Sequence, residues 1–281
     1  MKLPSQIKSV SFYTGIFNDR PFLYPPPGFQ GFAEGELGNG DCYGLYWPVG
    51  KEGLEPIVAE MWHDERRLQP SFSSLGTFLS AYRKHEDEYP EPPSVADDPQ
   101  SPRALFEAAR VHIQEQQVGE AVLKLEAAIT VLPEYTDALS LLWVQYVRQG
   151  RTQEALPIAL RAIKAPPSFG ARAVKALRWL QSQPKAGALA ADPVWQERHA
   201  LKMNYGGAKE NDDYPIYRAA IKTYIDGGQL VEAYVLMQTY GELMNGETVS
   251  FQERYQFSSD DHLAWMAEIS ARLPSGSRFH I

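Results

Sequence analysis

Apolar residues recur in two different rhythms along this 281-residue chain. Up to residue 83 no 3.6-residue period holds. Gly, Pro and aromatic residues crowd positions 12–49, and Pro25-Pro26-Pro27 and Gly38-Asn39-Gly40 interrupt any helix there. Three short strand-like runs stand out, at 10–13, 42–47 and 56–62. The last two are joined by Pro48-Val49-Gly50-Lys51-Glu52-Gly53, a loop of hairpin character. Ser73 and Ser74 then precede Leu75, Phe78, Leu79 and Tyr82, which fall at i, i+3, i+4 and i+7. That spacing predicts one capped amphipathic helix over 74–83.

From Arg103 the rhythm becomes helical and repeats. Gly119-Glu120-Ala121, Leu125, Ala128 and Pro133 recur 34 residues later as Gln153-Glu154-Ala155, Ala159, Ala162 and Pro167. Upstream, Leu105, Ala108 and His112 align with Leu139, Leu142 and Tyr146. Small residues let the two helices of a hairpin approach, and the proline ends the second. The period is that of the tetratricopeptide pattern. Tyr217, Ile221, Tyr224, Gly228, Ala233 and Met237 fit a third, degenerate unit over 216–243. Further helices are expected over 171–182 and 262–272, with an irregular connection over 185–213 that holds a short helix. Seven or eight helices would then stack as a short solenoid.

Between the two rhythms, 84–102 carries five prolines and a run of acidic residues with few apolar ones, the composition of a semi-rigid linker. The expected organisation is an α+β domain over 1–83, a linker over 84–102 and an all-α repeat domain over 103–281. Charge follows this division. Residues 1–100 hold 8 Lys and Arg against 15 Asp and Glu, a net −7 of the chain's −8. That acidity disfavours nucleic acid and anionic membranes and favours a basic partner. No run reaches the ~18 apolar residues of a membrane helix. The first eleven residues lack the apolar core of a secretory signal. A single cysteine, Cys42, excludes an internal disulfide and any multi-cysteine zinc site. A reducing, cytoplasmic location is expected.

Catalytic signatures are sparse. The chain has no phosphate-binding G-x-x-x-x-G-K-[ST] loop, no G-x-S-x-G elbow and no H-E-x-x-H helix. The six histidines form no i, i+3 or i, i+4 pair, so neither a metal nor another cofactor is expected. His63-Asp64 is the most enzyme-like pair, but neighbours along a strand point to opposite faces. Cys42 would meet His63 if the runs 42–47 and 56–62 paired. A small buried hydrophobe is the better reading of Cys42. The short tail 276–281 is expected to fray.

Gly40-Asp41, the Pro56-led run to Met61, His63-Asp64 and the helix from Ser74 to Tyr82 resemble, in order and spacing, the second half of a SUKH-superfamily domain. The resemblance covers about residues 32–83. It implies a curved antiparallel sheet with packed helices and a role in protein binding, as in fungal cell-wall-synthesis regulators and bacterial toxin-immunity proteins. The first functional expectation is therefore an immunity protein that masks a toxin domain with a basic surface, such as a nuclease. Glu34, Glu36, Asp41, Glu52, Glu55, Glu60, Asp64 and Glu65 would steer it, and Trp62 would anchor it. Trp47 is an alternative anchor unless it lies in the core. The second expectation is a repeat scaffold that carries a client peptide or helix. A hydrolase built on Cys42 and His63 is the third.

Overall fold

A computed structural model describes residues 1–2, 4–6, 8, 23–84, 90–184, 187–206 and 213–278, without the side chains of 33–36 and 188. The strand expected over 10–13 lies outside the described residues. The chain forms two compact units, Met1–Pro133 with Leu273–Ile281, and Glu134–Arg272.

The first unit is built on a four-stranded antiparallel meander in the order β1 (Phe29–Glu36), β2 (Cys42–Tyr46), β3 (Ile57–Trp62), β4 (Arg67–Phe72). The β2–β3 hairpin expected from the sequence is present, with Leu45 opposite Val58 and Tyr43 opposite Glu60. Period-2 alternation puts Tyr43, Leu45 and Val58 on one face, where Phe32, Trp47 and Phe72 join them. Helix α1 (Leu75–Lys84) closes this face with Leu75, Phe78 and Leu79. Phe78 stands at its centre, 5.1–5.5 Å from the rings of Phe32, Tyr43 and Phe72. Ser74 caps α1: its hydroxyl accepts from Thr77 N at 3.2 Å, and Thr77 Oγ1 accepts from Ser74 N at 3.2 Å.

Residues 90–101 run back across this layer. Tyr43 donates to the Pro90 carbonyl at 3.4 Å. Asp98 accepts from the Ser73 amide and hydroxyl at 2.7 and 2.6 Å. Ser101 donates to the Ser71 carbonyl at 2.6 Å while capping α2 (Pro102–Gln114) through Ala104 N. A hairpin turn joins α2 to α3 (Val118–Val131).

The second unit opens with the hairpin α4 (Thr136–Arg148) and α5 (Thr152–Lys164). A 3₁₀ turn at Pro167–Phe169, α6 (Val174–Ser182), a second 3₁₀ turn and the short α7 (Pro193–Gln196) follow. The hairpin α8 (Asp213–Asp226) and α9 (Leu230–Asn245) and the helices α10 (Val249–Arg254) and α11 (Ser259–Ser270) complete it. The 34-residue spacing is carried by the helices themselves, since α2 and α4 start at residues 102 and 136, and α3 and α5 at 118 and 152. The observed class is thus α+β, a small antiparallel sheet followed by a helical region. Among the described residues no helix is long and apolar enough to cross a membrane.

Candidate functional site

In a meander the β1–β2 and β3–β4 turns lie at one end of the sheet and the β2–β3 loop at the other. The expected acidic set is therefore divided. Asp41, Asp64 and Glu65 belong to the first end, Glu52 and Glu55 to the second. At the first end His63 binds the two turns together. Its Nδ1 lies 2.8 Å from Asp41 Oδ1, its Nε2 lies 3.1 Å from Asp64 Oδ1, and its amide also donates to Asp41 Oδ1 at 2.8 Å. The direct His63–Asp64 contact, which strand geometry allows only with a bend, exists because β3 ends at Trp62 and His63 begins a turn.

Asn39 completes the loop, accepting from the Asp41 amide at 2.9 Å and donating to Asp41 Oδ2 at 3.0 Å. Gly40 is required here. Its φ is +95°, and a Cβ would stand 2.9 Å from the His63 ring. The bond to Asp41 raises the His63 pKa above its usual value, slight burial opposes it, and the charges of Asp64 and Asp41 raise it further. Burial pushes the Asp41 carboxyl up, but the bonds from His63 and Asn39 more than offset this and hold it below the usual range. The ring thus sits between two carboxylates that favour its protonated form, with the Asp64 side chain still 90% exposed and Glu65 exposed beside it.

The remaining expected residues play other parts. Glu52 is fully buried and paired with Arg278 at 2.6 Å, so it presents no charge to solvent. Glu60 pairs with Arg103 at 3.4 Å, and Glu55 lies 3.9 Å from Lys2. The side chains of Glu34 and Glu36 lie outside the described residues. Trp62 is half-buried at the end of β3, and the Tyr24 hydroxyl lies 2.9 and 2.7 Å from the carbonyls of Trp62 and Arg67. Trp47 is fully buried and donates its indole N–H to the Lys2 carbonyl at 2.8 Å, so it belongs to the core.

Strands β2 and β3 do pair, as a Cys42–His63 couple needs, but Cys42 is buried opposite Met61. Both ring nitrogens of His63 are held by carboxylates.

A cleft of about 620 Å³ lies between α1 and residues 91–98, lined by Ser74, Thr77, Ser80, Lys84, Pro92 and Asp97 among others. Its hydroxyls and carboxylates largely bind one another: Ser74 with Thr77, Asp97 with Ser94, Asp98 with Ser73. In the second unit, buried charge is likewise matched. Lys164 donates to Asp192 at 3.1 Å and to the Tyr224 hydroxyl at 3.0 Å, and Tyr224 donates to Asp192 at 2.6 Å. Burial and then the Asp192 charge push the Tyr224 hydroxyl far up, so it stays a donor. Glu242 accepts from the Ser168 amide and hydroxyl, and Glu247 from Tyr214 and the Gly206 amide. Among the described residues no cluster of three His, Cys, Asp or Glu side chains is arranged to hold a metal ion.

Arg278 is the residue that sequence reasoning missed. The tail expected to fray is held in the first unit as far as residue 278, whereas 279–281 lie outside the described residues. Its partner Glu52 is 226 positions away, and no local pattern signals that contact.

Comparison with known proteins assigns the relationship. The family models of the YfbP N-terminal domain and the YfbP C-terminal domain match residues 16–91 and 204–280. A curated relative from Escherichia coli strain K12, "Uncharacterized protein YfbP", is 34% identical over 280 residues, covering 99% of each chain. The matches correct the SUKH and tetratricopeptide resemblances: the family models that match are those of the two YfbP domains. On this similarity the chain belongs to the YfbP family.

Proposed function

We propose that this protein is a binding protein rather than an enzyme, and that it meets a basic protein surface with the β1–β2 and β3–β4 turn end of its sheet. The observation that carries this reading is the His63 clamp. It ties the two turns together through Asp41, holds Asp64 within its own turn, and leaves Asp64 largely exposed with Glu65 exposed beside it. A charged group held in place loses little side-chain entropy on association, so more of its attraction appears as affinity. Charge complementarity of this kind acts mainly on the association rate. Trp62, half-buried next to the turn, supplies apolar area beside the charges.

The narrower expectations, toxin neutralisation and client carriage on a repeat groove, drew their content from the resemblances that the family assignment replaces, and the proposal does not include them. The hydrolase reading is also left aside, because Cys42 is buried in the sheet and His63 is bound on both sides. The proposed location is the cytoplasm, in keeping with a single buried cysteine.

Affinity capture at low salt tests the proposal, with wild type and the Asp64→Lys/Glu65→Lys variant run in parallel. Retention of a stoichiometric protein with a basic surface by wild type, and its loss from the variant, is the expected result. Equal retention by both overturns the assignment of the turn end.

A further inference from the structure

Residues 273–278 return to the first unit and place Arg278, whose side chain is wholly enclosed, in a socket of the sheet domain. Both terminal nitrogens of the guanidinium are received. Nη1 donates to Glu52 Oε1 at 2.6 Å and Nη2 to the Pro27 carbonyl at 3.0 Å. Cζ lies over the Tyr46 ring, 5.5 Å from its centroid. Gly28 opens the space, since a Cβ there would stand 2.3 Å from Nη2. Glu52 is itself held in place: Oε1 accepts from the Gly50 amide at 3.1 Å, Oε2 binds the Ser275 hydroxyl, and its carbonyl accepts from Lys2 N at 2.7 Å. The socket walls come from residues 27–52, a continuous stretch far from 273–278 in sequence. The occupant, Leu273-Pro274-Ser275-Gly276-Ser277-Arg278, contains no helix or strand.

We propose that this socket is a peptide-binding site for an arginine side chain that follows a short Ser-Gly-Ser turn, filled in cis by residues 273–278, which act as a detachable latch. A buried carboxylate, a backbone acceptor and an aromatic face together match the planar fork of arginine and not the point charge of lysine. The geometry is that of a receptor with its ligand in place: Arg278 is inserted, Leu273 is buried at the other end, and small, partly buried residues join them. Withdrawal of the latch leaves a buried carboxylate that another arginine-bearing peptide of the same form can satisfy.

A labelled peptide copying residues 273–281, titrated into the full-length chain, tests this. Arg278→Ala empties the socket, so the peptide binds that variant at least tenfold tighter than wild type, whose own segment competes. A control peptide with alanine at the arginine position does not bind, and Glu52→Gln on the Arg278→Ala background removes binding. Equal affinity for wild type and Arg278→Ala, or equal binding of the control peptide, overturns the proposal. If Arg278→Ala does not fold, Arg278→Lys takes its place, because it keeps the charge and forfeits the fork. Failure of both to fold also overturns the proposal, since Arg278 is then an inseparable part of the core.

Discussion

At the scale of residues, two histidines of opposite character carry pH dependence. His63 is stabilised in its charged form by Asp41 and Asp64, so its folded pKa is raised. Its contribution is fully present below the unfolded value near 6.5 and is lost as pH rises through the folded value. Asp41 is shifted down, so its contribution is present above the unfolded carboxylate value and is lost as pH falls. The clamp therefore holds between these limits. An NMR titration of the His63 ring is expected to give a midpoint above 6.5, and Asp41→Asn to bring it down. A midpoint at or below 6.5 would show that the carboxylates do not hold the ring.

His262 behaves in the opposite way. It is buried in α11 among Tyr240, Phe257 and Trp265, with Nε2 2.9 Å from the Met237 carbonyl. Burial pushes it down to about 4. Below pH 6.5 the unfolded chain takes up a proton that the folded ring refuses. Stability therefore falls between about pH 6.5 and 4, by roughly 3 kcal/mol at 1.36 kcal/mol per pH unit. Denaturant melts across that range, compared with His262→Leu, are expected to show a steeper loss in wild type. Identical slopes would remove His262 as the cause.

At the scale of elements, three helix hairpins share one device. Gln117 N bonds the His112 carbonyl at 2.8 Å, Arg151 N the Tyr146 carbonyl at 2.9 Å and Gln229 N the Tyr224 carbonyl at 2.8 Å. Each is the six-to-one bond of a helix end that turns through a left-handed residue. That residue is Gly150 and Gly228 in two of them but Gln116, at φ 62°, in the first. A side chain in this region costs about 1–2 kcal/mol, part of which glycine regains as unfolded-state entropy. Gln116→Gly is expected to raise stability by about 0.5–1 kcal/mol, read as a higher thermal midpoint. A lower midpoint would contradict the geometry at that turn.

The longer helices were legible because their period and terminal prolines lie within one turn of the residues they govern, whereas the six-residue α10 was missed, being too short to show a period, and the region holds ten helices among the described residues rather than the seven or eight expected. The hairpin β2–β3 and helix α1 were legible for the same reason. Strand β1 was not, because Gly31 and Gly35 dilute its alternation and its register shifts between Gly31 and Glu36. Strand β4 was hidden by Pro70, which a sheet edge tolerates because one row of amides there has no strand partner among the described residues.

At the scale of the whole molecule, contacts of long sequence separation decide what local pattern cannot. Asp41 meets His63 across 22 positions, and Glu52 meets Arg278 across 226. The first was within reach of the sequence once two strands were expected to pair. The second was not, and it converted a residue counted as surface charge into a buried one. The acidity of the first hundred residues was correctly counted, but its placement was not. Sheet topology sends Glu52 and Glu55 to one end and Asp41, Asp64 and Glu65 to the other, Arg103 pairs with Glu60, and Asp41 is taken up in tying His63 to the β1–β2 turn. What remains projecting on a fixed turn is the Asp64-Glu65 corner.

The association rate of the captured partner, measured against ionic strength for wild type and Asp64→Lys/Glu65→Lys, tests the binding account most directly. The account predicts a wild-type rate that falls as salt rises, and a variant rate at least tenfold slower at low salt with little salt dependence. Equal rates with the same salt dependence would contradict it.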